Sequence, residues 1–197
     1  MSVDAPAALF ITAPPVTPAS PPHPFHAPPL PAELAAQGFA FRSEDDADLP
    51  FLRRLYVSTR WDELAIVDWP DQHKIAFLES QFGLQRYHYY TYYPTTAFAV
   101  LEQHGTPCGR LYLERRPQLA TMLDIALLPE WRGRGVGTAL VAAVLAEAGA
   151  AGRVVSITVE KFNPAQRLYR RLGFREVADE GMHWTMEWTA PAAPAAE

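Results

Sequence analysis

Residues 124–146 read DIALLPEWRGRGVGTALVAAVLA, and this stretch decides the fold of the chain. An apolar run at residues 122–128 predicts a strand, which is followed by Pro129, a basic glycine-rich turn and a helix. Three glycines at alternate positions of the turn let backbone N–H groups approach a ligand closely. The helix adds free N–H donors and the positive end of its dipole, so the pattern predicts a pyrophosphate site. The predicted site consists of Arg132, Gly133, Arg134, Gly135, Val136, Gly137 and Thr138.

Two better-known phosphate-binding loops do not fit this turn. A P-loop requires Gly-Lys-Ser/Thr, whereas Gly137 is followed by Thr-Ala. The dinucleotide fingerprint Gly-x-Gly-x-x-Gly also fails, because, counted from Gly133, its last glycine is replaced by Thr138. What remains is Arg-x-x-Gly-x-Gly, with Arg132 as its arginine and Gly135 as its first glycine. An ordinary glycine-rich connection with two solvated arginines has the same composition, so the turn alone leaves both interpretations open.

A second motif follows at residues 159–177, which read VEKFNPAQRLYRRLGFREV. Together the two motifs resemble the GNAT superfamily of N-acetyltransferases. The acetyl-CoA loop of that family is Arg/Gln-x-x-Gly-x-Gly/Ala, and its later motif has an Asn, an Ala two residues on, then Leu-Tyr and Gly-Phe. The residues that match the later motif are Asn163, Ala165, Leu168, Tyr169, Gly173 and Phe174.

The resemblance implies an α/β (α+β) fold with a mixed, mostly antiparallel central sheet of about six to seven strands. Two central parallel strands would splay apart, and about four helices would flank the sheet. The rest of the sequence fits this expectation. Strands are predicted near residues 39–42, 96–102, 108–115, 120–128, 153–159 and 183–188. Helices are predicted from Pro50 behind N-cap candidates at 45–48, at 70–90, from Ala139 to Gly149 or Gly152, and at 163–172.

Length, composition and charge narrow the possible functions. A chain of 197 residues, of which 49% are hydrophobic, suits one globular domain with a sizeable core. The net charge of -5 and the lack of a basic stripe argue against a nucleic-acid partner. No apolar run is long enough for a membrane span. The single cysteine, Cys108, excludes an internal disulfide and is expected on a strand rather than as a nucleophile, and the sequence contains no metal-binding constellation.

The composition divides the chain into three parts. Residues 1–32 are rich in proline and alanine and predict a disordered tail, because proline fixes φ and lacks a backbone donor. Residues 33–189 are predicted to form the single acetyltransferase domain, and residues 190–197 a second disordered tail. The first tail lacks the basic start of a secretory signal, so we expect a cytoplasmic protein. A targeting role, a partner-binding role and a mis-assigned start codon remain open for this tail.

The resemblance implies acetyl-CoA as co-substrate and no metal. In the family, the pantetheine arm lies between the splayed strands and pairs with backbone, which corresponds here to Ile125, Ala126 and Leu127. The side-chain amide of Asn163 would contact the same arm. Asn163 could equally cap the helix that it precedes, and both roles are compatible.

Three residues are candidates for the chemistry of acetyl transfer. Tyr169 matches the family tyrosine that protonates the departing thiolate, although it also fits a packed stripe on an amphipathic helix. Glu160 and Asp124 are the main candidates for the base that collects the proton of the amine, with Glu114 and His183 as further options. Lys161 next to Glu160 could instead make that glutamate an ordinary surface charge.

The acceptor is expected to be a primary amine, on either a small molecule or a peptide. The second predicted helix ends in a cluster of tyrosines, residues 87–93, which fits a substrate wall as well as it fits core packing. A non-catalytic acyl-CoA-binding sensor or interaction module is the alternative function, and a longer acyl group is also compatible. Exposed strands permit a homodimer.

Overall fold

Seven strands form one sheet in the computed structural model, which describes residues 25–191. They are β1 (Phe39–Ser43), β2 (Ala97–Gln103), β3 (Thr106–Arg115), β4 (Leu119–Leu127), β5 (Val154–Glu160), β6 (Arg175–Glu180) and β7 (His183–Trp188). Their order across the sheet is β1-β2-β3-β4-β5-β7-β6. Every neighbouring pair is antiparallel except β4 and β5. The predicted mixed, mostly antiparallel sheet is therefore confirmed.

Five α-helices accompany the sheet within the described residues, against about four predicted. They are α1 (Ala32–Ala36), α2 (Leu49–Arg60), α3 (Asp71–Tyr92), α4 (Val136–Ala150) and α5 (Gln166–Arg171). The unpredicted helix is α1, which is barely more than one turn long and therefore gives no periodic signal. It follows Pro31 and buries Leu34 in the core. Short 3₁₀ turns at Asp46–Asp48, Trp61–Leu64 and Pro129–Trp131 complete the structure.

The start of α2 follows the predicted capping signal. The side chain of Asp45 accepts a hydrogen bond from the backbone N–H of Ala47, and the side chain of Asp48 accepts one from the N–H of Asp45. This reciprocal box satisfies the free donors at the start of the turn that leads into α2.

The start of α5 differs from the prediction. This helix begins at Gln166 rather than at Asn163. Asn163 forms a turn before the helix instead: its Oδ1 accepts from the N–H of Ala165 at 2.9 Å, and its carbonyl accepts from the N–H of Gln166. Asparagine often closes such local turns.

The parallel pair of β4 and β5 is short. Its partners are Leu119 with Val154, Ala120 with Val155 and Thr121 with Ser156, after which the two strands separate. Beyond this seam, residues of β4 and β5 face a gap rather than each other. The splayed arrangement that the resemblance implied is present.

A β-bulge lies in β4 beside this gap. Tyr112 of β3 pairs with Asp124 and Leu113 pairs with Met122, so Leu123 is the extra residue. The carbonyl of Leu123 accepts a hydrogen bond from the hydroxyl of Tyr89 at 3.0 Å, which ties α3 to the bulge. The bulge therefore directs the following residues of β4 along the edge of the gap.

A buried polar network joins α3 to the sheet on the far side of β3. The carboxylate of Glu44 pairs with Arg86 and accepts hydrogen bonds from the hydroxyls of Tyr90 and Tyr112. The side chains of Glu44 and Arg86 are 0% and 5% exposed. Because the charges compensate each other at such depth, the pair fixes how α3 sits on the strands.

The main core lies between the sheet and the helices α4 and α5, where Leu111, Val141, Val155 and Met186 are fully buried. The predictions for residues 1–24 and 192–197 fall outside the described residues. Residues 25–31 contain no helix or strand, and the carbonyls of His26 and Ala27 accept hydrogen bonds from Arg115. None of the helices in the described part of the chain is long and apolar enough to cross a bilayer.

Candidate functional site

A cavity of about 460 Å³ opens where β4 and β5 separate. Side chains from both strands, from α2, α3 and α5, and from β3 and β7 line it. The structure thus brings together residues that lie far apart in sequence. Those of the predicted site residues that line the cavity are Asp124, Ile125, Ala126, Glu160, Asn163 and Tyr169.

The predicted pyrophosphate loop lies outside the cavity lining, between the end of β4 and the start of α4. Gly133 and Gly135 have φ of 70° and 83°, a conformation that other residues adopt only with strain. Gly135 is the N-cap of α4, and no side chain of residues 25–191 caps this helix end. The first N–H groups of α4 are therefore available to an anion.

Neither the backbone angles nor the packing at position 137 requires a glycine. A Cβ at this position would meet only Leu127 Cδ1, at an ordinary contact distance of 3.8 Å. The space above Gly137 is thus open to a ligand. The side chain of Val136 is buried in the core, so this residue can serve a ligand only through its backbone. Thr138 is half-buried in the same turn of α4.

The two arginines of the loop contact protein groups. Arg132 donates from Nε to the carbonyl of Leu127 at 2.8 Å and from Nη2 to Oγ of Ser58 at 2.9 Å. It therefore links the end of β4 to α2. The guanidinium of Arg134 lies 5.3 Å from the ring centroid of Trp131. Leu127 does not line the cavity, and its carbonyl is already engaged by Arg132.

Tyr169 lies on α5 and is 7% exposed. Its ring packs edge-on against Phe174, with the ring centroids 5.6 Å apart. Burial, assisted by the negative charge of Asp124, raises the pKa of Tyr169 to about 12. The phenol is therefore protonated at every physiological pH and can act as a donor inside the cavity.

Asp124 is held by a buried arginine of β3. Arg110 donates from Nε to Oδ1 at 3.1 Å and from Nη2 to Oδ2 at 2.7 Å, and Nη2 also donates to Gln85 of α3. Burial by itself lowers the pKa of Arg110, but Asp124 and nearby tyrosines raise it above its ordinary value. Both oxygens of this carboxylate thus already accept hydrogen bonds from a permanent cation. The geometry therefore favours a positioning role for Asp124.

Glu160 lies at the end of β5, in the more exposed part of the cavity. Its carboxylate pairs with Nη1 of Arg60, and Nε2 of His183 is 3.8 Å away. Lys161 does not pair with Glu160, because its ammonium lies 2.6 Å from Asp179. Each predicted base pairs with one arginine, but Arg60, the partner of Glu160, is 29% exposed and can change conformation, whereas Arg110, the partner of Asp124, is buried.

Arg60 bridges two carboxylates, since its Nη1 also lies 3.2 Å from Glu63. Burial raises the pKa of Glu63, Arg60 opposes this effect, and the charge of Glu160 adds to it. Burial alone lowers the pKa of Arg60, but Glu160 and Glu63 raise it. Glu114, a further candidate base, does not line the cavity; it is buried and pairs with Arg116.

Among the residues that line the cavity, sequence reasoning missed three charged side chains, Arg60, Glu63 and Arg110, and the amide of Gln85. A signal existed only for Arg110, which is a lone charge within the apolar run of β3. Such a residue requires a buried partner, and Asp124 is the matching lone charge in β4. Arg60 and Glu63 look like ordinary surface charges at the end of an amphipathic helix.

The tyrosine cluster at residues 87–93 divides between the cavity and the core. Tyr89 and Tyr93 line the cavity together with His88. Tyr90 points the other way and stacks on Phe98, with the ring centroids 4.3 Å apart. Successive residues of a helix point in different directions, so neighbouring tyrosines divide between the core and the cavity.

Comparisons with known proteins agree with this architecture. Residues 94–176 match the model of the acetyltransferase (GNAT) domain, a region that contains both sequence motifs. Solved structures with the same fold include the PaiA N-acetyltransferase of Thermoplasma acidophilum in complex with coenzyme A. It is 16% identical, with a TM-score of 0.58 over 77% of this chain and 99% of that one.

An acetyltransferase of Thermus thermophilus is 19% identical, with a TM-score of 0.55 over 77% of this chain and 97% of that one. Naa50 of Arabidopsis thaliana, in complex with the bisubstrate analogue CoA-Ac-MVNAL, is 14% identical, with a TM-score of 0.50 over 78% and 99%. At these identities the structures establish the fold, and the domain match covers the part of the chain from β2 to the start of β6. Residues 94–176 of this chain thus match an acetyltransferase (GNAT) domain, and the chain has the fold of N-acetyltransferases such as PaiA.

Proposed function

We propose that this chain transfers the acetyl group of acetyl-CoA to a primary amine by direct attack within a ternary complex. One observation carries the proposal: a single cavity between β4 and β5 contains Tyr169 and Glu160 beside the backbone of Ile125. A donor thioester, an acid and a base would therefore meet at one place. The acceptor would be a small-molecule or peptide amine in the cytoplasm, where acetyl-CoA is available.

The donor would bind along β4. Its pantetheine arm would pair with the backbone of Ile125 and Ala126 in the gap, and its pyrophosphate would lie at the uncapped start of α4. Because the carbonyl of Leu127 already accepts from Arg132, this residue would contribute packing or its N–H. The side-chain NH₂ of Asn163 would contact the arm, while its oxygen holds the turn before α5.

The chemistry would proceed by one addition and one elimination. The acceptor ammonium loses a proton to Glu160, or to a water beside it, and the amine nitrogen attacks the thioester carbon. The C–N bond forms, the C–S bond breaks, and the electron pair of that bond stays on sulfur. The second proton that the nitrogen loses on becoming an amide goes to this sulfur, so the products are the amide and the free thiol of CoA. A thiol has a pKa of about 8.5, so full transfer from a phenol with a pKa of about 12 is uphill. Tyr169 would therefore stabilise the thiolate mainly by donating a hydrogen bond.

We expect acetyl-CoA to raise the melting temperature of the protein. A ligand at 100 times its Kd adds about 2.7 kcal/mol to the free energy of unfolding, and each kcal/mol moves Tm by about 2–4 °C at this size, so Tm should rise by about 5–11 °C. Thermal unfolding with acetyl-CoA, with free CoA for comparison, measures this shift. An unchanged Tm at millimolar acetyl-CoA would remove the proposed donor site. Binding without release of free thiol for any amine of a broad panel would indicate a non-catalytic acyl-CoA-binding module.

We expect Gly137→Ala to stabilise the protein while weakening acetyl-CoA binding. Alanine should add about 0.5–1 kcal/mol to the free energy of unfolding, because the residue is helical and its Cβ has room. The same methyl group would collide with the bound pyrophosphate. Overpacking of this kind costs about 1–3 kcal/mol of binding free energy, which corresponds to a Kd weakened about 5- to 150-fold. Calorimetric titration with acetyl-CoA and denaturant unfolding measure the two effects.

Gly83→Ala is the matched control for this prediction. Gly83 lies inside α3, a Cβ there would meet nothing within 4 Å, and the residue does not line the cavity. It should give the same gain in stability with no change in Kd. Equal affinities of the two variants for acetyl-CoA would show that the ligand does not approach Gly137.

A further inference from the structure

The guanidinium of Arg60 is a cation that lies in the exposed part of the cavity. Nη1 of Arg60 binds both Glu63 and Glu160, and the guanidinium carbon lies 5.8 Å from the ring centroid of Tyr56. Two carboxylates and an aromatic face are the groups that recognise an ammonium ion. Arg60 therefore occupies a site with the chemistry of a cationic ligand, in the same cavity as Tyr169.

The charges that line the cavity do not balance. Arg110 compensates Asp124 through two hydrogen bonds, and this pair is buried. In the exposed part, the single charge of Arg60 faces the two charges of Glu63 and Glu160, which leaves one surplus negative charge. The two histidines of the lining, His88 and His183, add no charge when neutral. A net-cationic ligand is thus favoured and an anionic one is opposed.

The ion pair between Arg60 and Glu160 also controls the proposed base. While Arg60 binds Glu160, its guanidinium occupies Oε1 of the carboxylate that would receive the acceptor ammonium. Glu63 is 47% exposed and lies three residues after Arg60, so it can retain the guanidinium alone. An arriving ammonium could then replace Arg60 on Glu160 without leaving any charge unpaired.

We propose that Glu160 binds the ammonium group of the acceptor and that Arg60 is the resident cation, which the acceptor displaces from Glu160 and which Glu63 then retains. The favoured acceptor is therefore a primary amine with a net positive charge and no neighbouring carboxylate. Acetylation removes the charge of the ammonium, so Arg60 returns to Glu160 and the neutral amide product leaves. This inference rests on the proposed function, because it assigns the acceptor side of the same cavity.

The test measures binding without turnover. Calorimetric titrations in the presence of free CoA, which cannot transfer an acetyl group, use 2-phenylethylamine as a cationic probe and phenylalanine as its zwitterionic counterpart. We expect the wild-type protein to bind 2-phenylethylamine about tenfold more tightly than phenylalanine. Equal binding, or tighter binding of phenylalanine, would overturn the inference.

Two variants should act in opposite directions. Arg60→Met removes the competing cation and should tighten binding of 2-phenylethylamine about tenfold, whereas Glu63→Gln removes the surplus charge and should weaken it about tenfold. Asp62→Asn changes the charge of a neighbouring exposed residue outside the cavity lining and should leave Kd within about twofold. General damage to the fold would weaken binding in both variants. Arg60→Met without tighter binding, or Glu63→Gln indistinguishable from Asp62→Asn, would contradict the assignment.

Turnover is measured separately, as free thiol released from acetyl-CoA with the same amine. If the wild-type and variant affinities follow the expected order but no amine of the panel releases thiol, the ammonium site stands and the proposed acetyl transfer fails. If thiol is released and the affinities do not follow this order, the acetyl transfer stands and the role of Arg60 fails.

Discussion

Arg86→Met should lower the free energy of unfolding by about 3–5 kcal/mol. The substitution removes the cation that faces Glu44 in a position where neither side chain reaches solvent. The hydroxyls of Tyr90 and Tyr112 would remain as donors, but neither neutralises the carboxylate. Urea unfolding followed by far-UV circular dichroism measures the loss. This is the largest effect that we expect from a single substitution.

Arg170→Met is the matched control for this effect. Arg170 pairs with Glu176 at the surface, where the two side chains are 51% and 35% exposed, and it also donates a hydrogen bond to Oε1 of the neutral amide of Gln166. The same change should therefore cost no more than about 1 kcal/mol. Removing both buried charges, in the double variant Arg86→Met with Glu44→Gln, should recover part of the stability. A loss for Arg86→Met as small as that of Arg170→Met would show that the buried pair does not hold α3 on the sheet.

Tyr169→Phe should lower kcat by about 10²-fold, the lower end of the range for acid–base groups. The variant keeps the ring that packs on Phe174 and loses only the hydroxyl that would face the departing sulfur. The affinity for acetyl-CoA should change little, because the hydroxyl acts on charge that develops during the reaction. Steady-state kinetics at saturating acetyl-CoA and amine measure kcat.

The pH dependence gives a second test of Tyr169. Because the pKa of Tyr169 is about 12, its phenol keeps its proton well into the alkaline range, and kcat should not fall with loss of this proton below about pH 11. Tyr87→Phe is the matched control, since Tyr87 is exposed on α3 and does not line the cavity. An unchanged kcat in Tyr169→Phe would exclude the hydroxyl from the mechanism.

Much of the fold could be predicted because its signals are local. Glycine is the residue that most easily adopts a positive φ, and two of the three loop glycines, Gly133 and Gly135, have this conformation. The capping signal at Asp45 and the apolar run of β4 depend only on neighbours in sequence. The helix α4 ends at Ala150, and Gly152, one of its two predicted stops, has a positive φ.

The polar partners in the site could not be predicted, because each pairs across a long stretch of chain. Arg60 and Glu160 are 100 residues apart, and Arg132 reaches Ser58 over 74 residues. Nothing near Arg132 in sequence shows that its guanidinium would contact α2. The two candidate bases also looked alike in sequence, whereas only Asp124 faces a buried arginine.

The short seam between β4 and β5 has a consequence for how the protein melts. Within residues 25–191, only three residue pairs join the strands β1–β4 to the strands β5–β7 through the sheet, so the two blocks are held together mainly by the core that packs against α4 and α5. A pantetheine arm bound in the gap would contact both blocks and join them. Acetyl-CoA should therefore narrow the melting transition as well as raise its midpoint temperature. Without ligand, the protein should open first between β4 and β5.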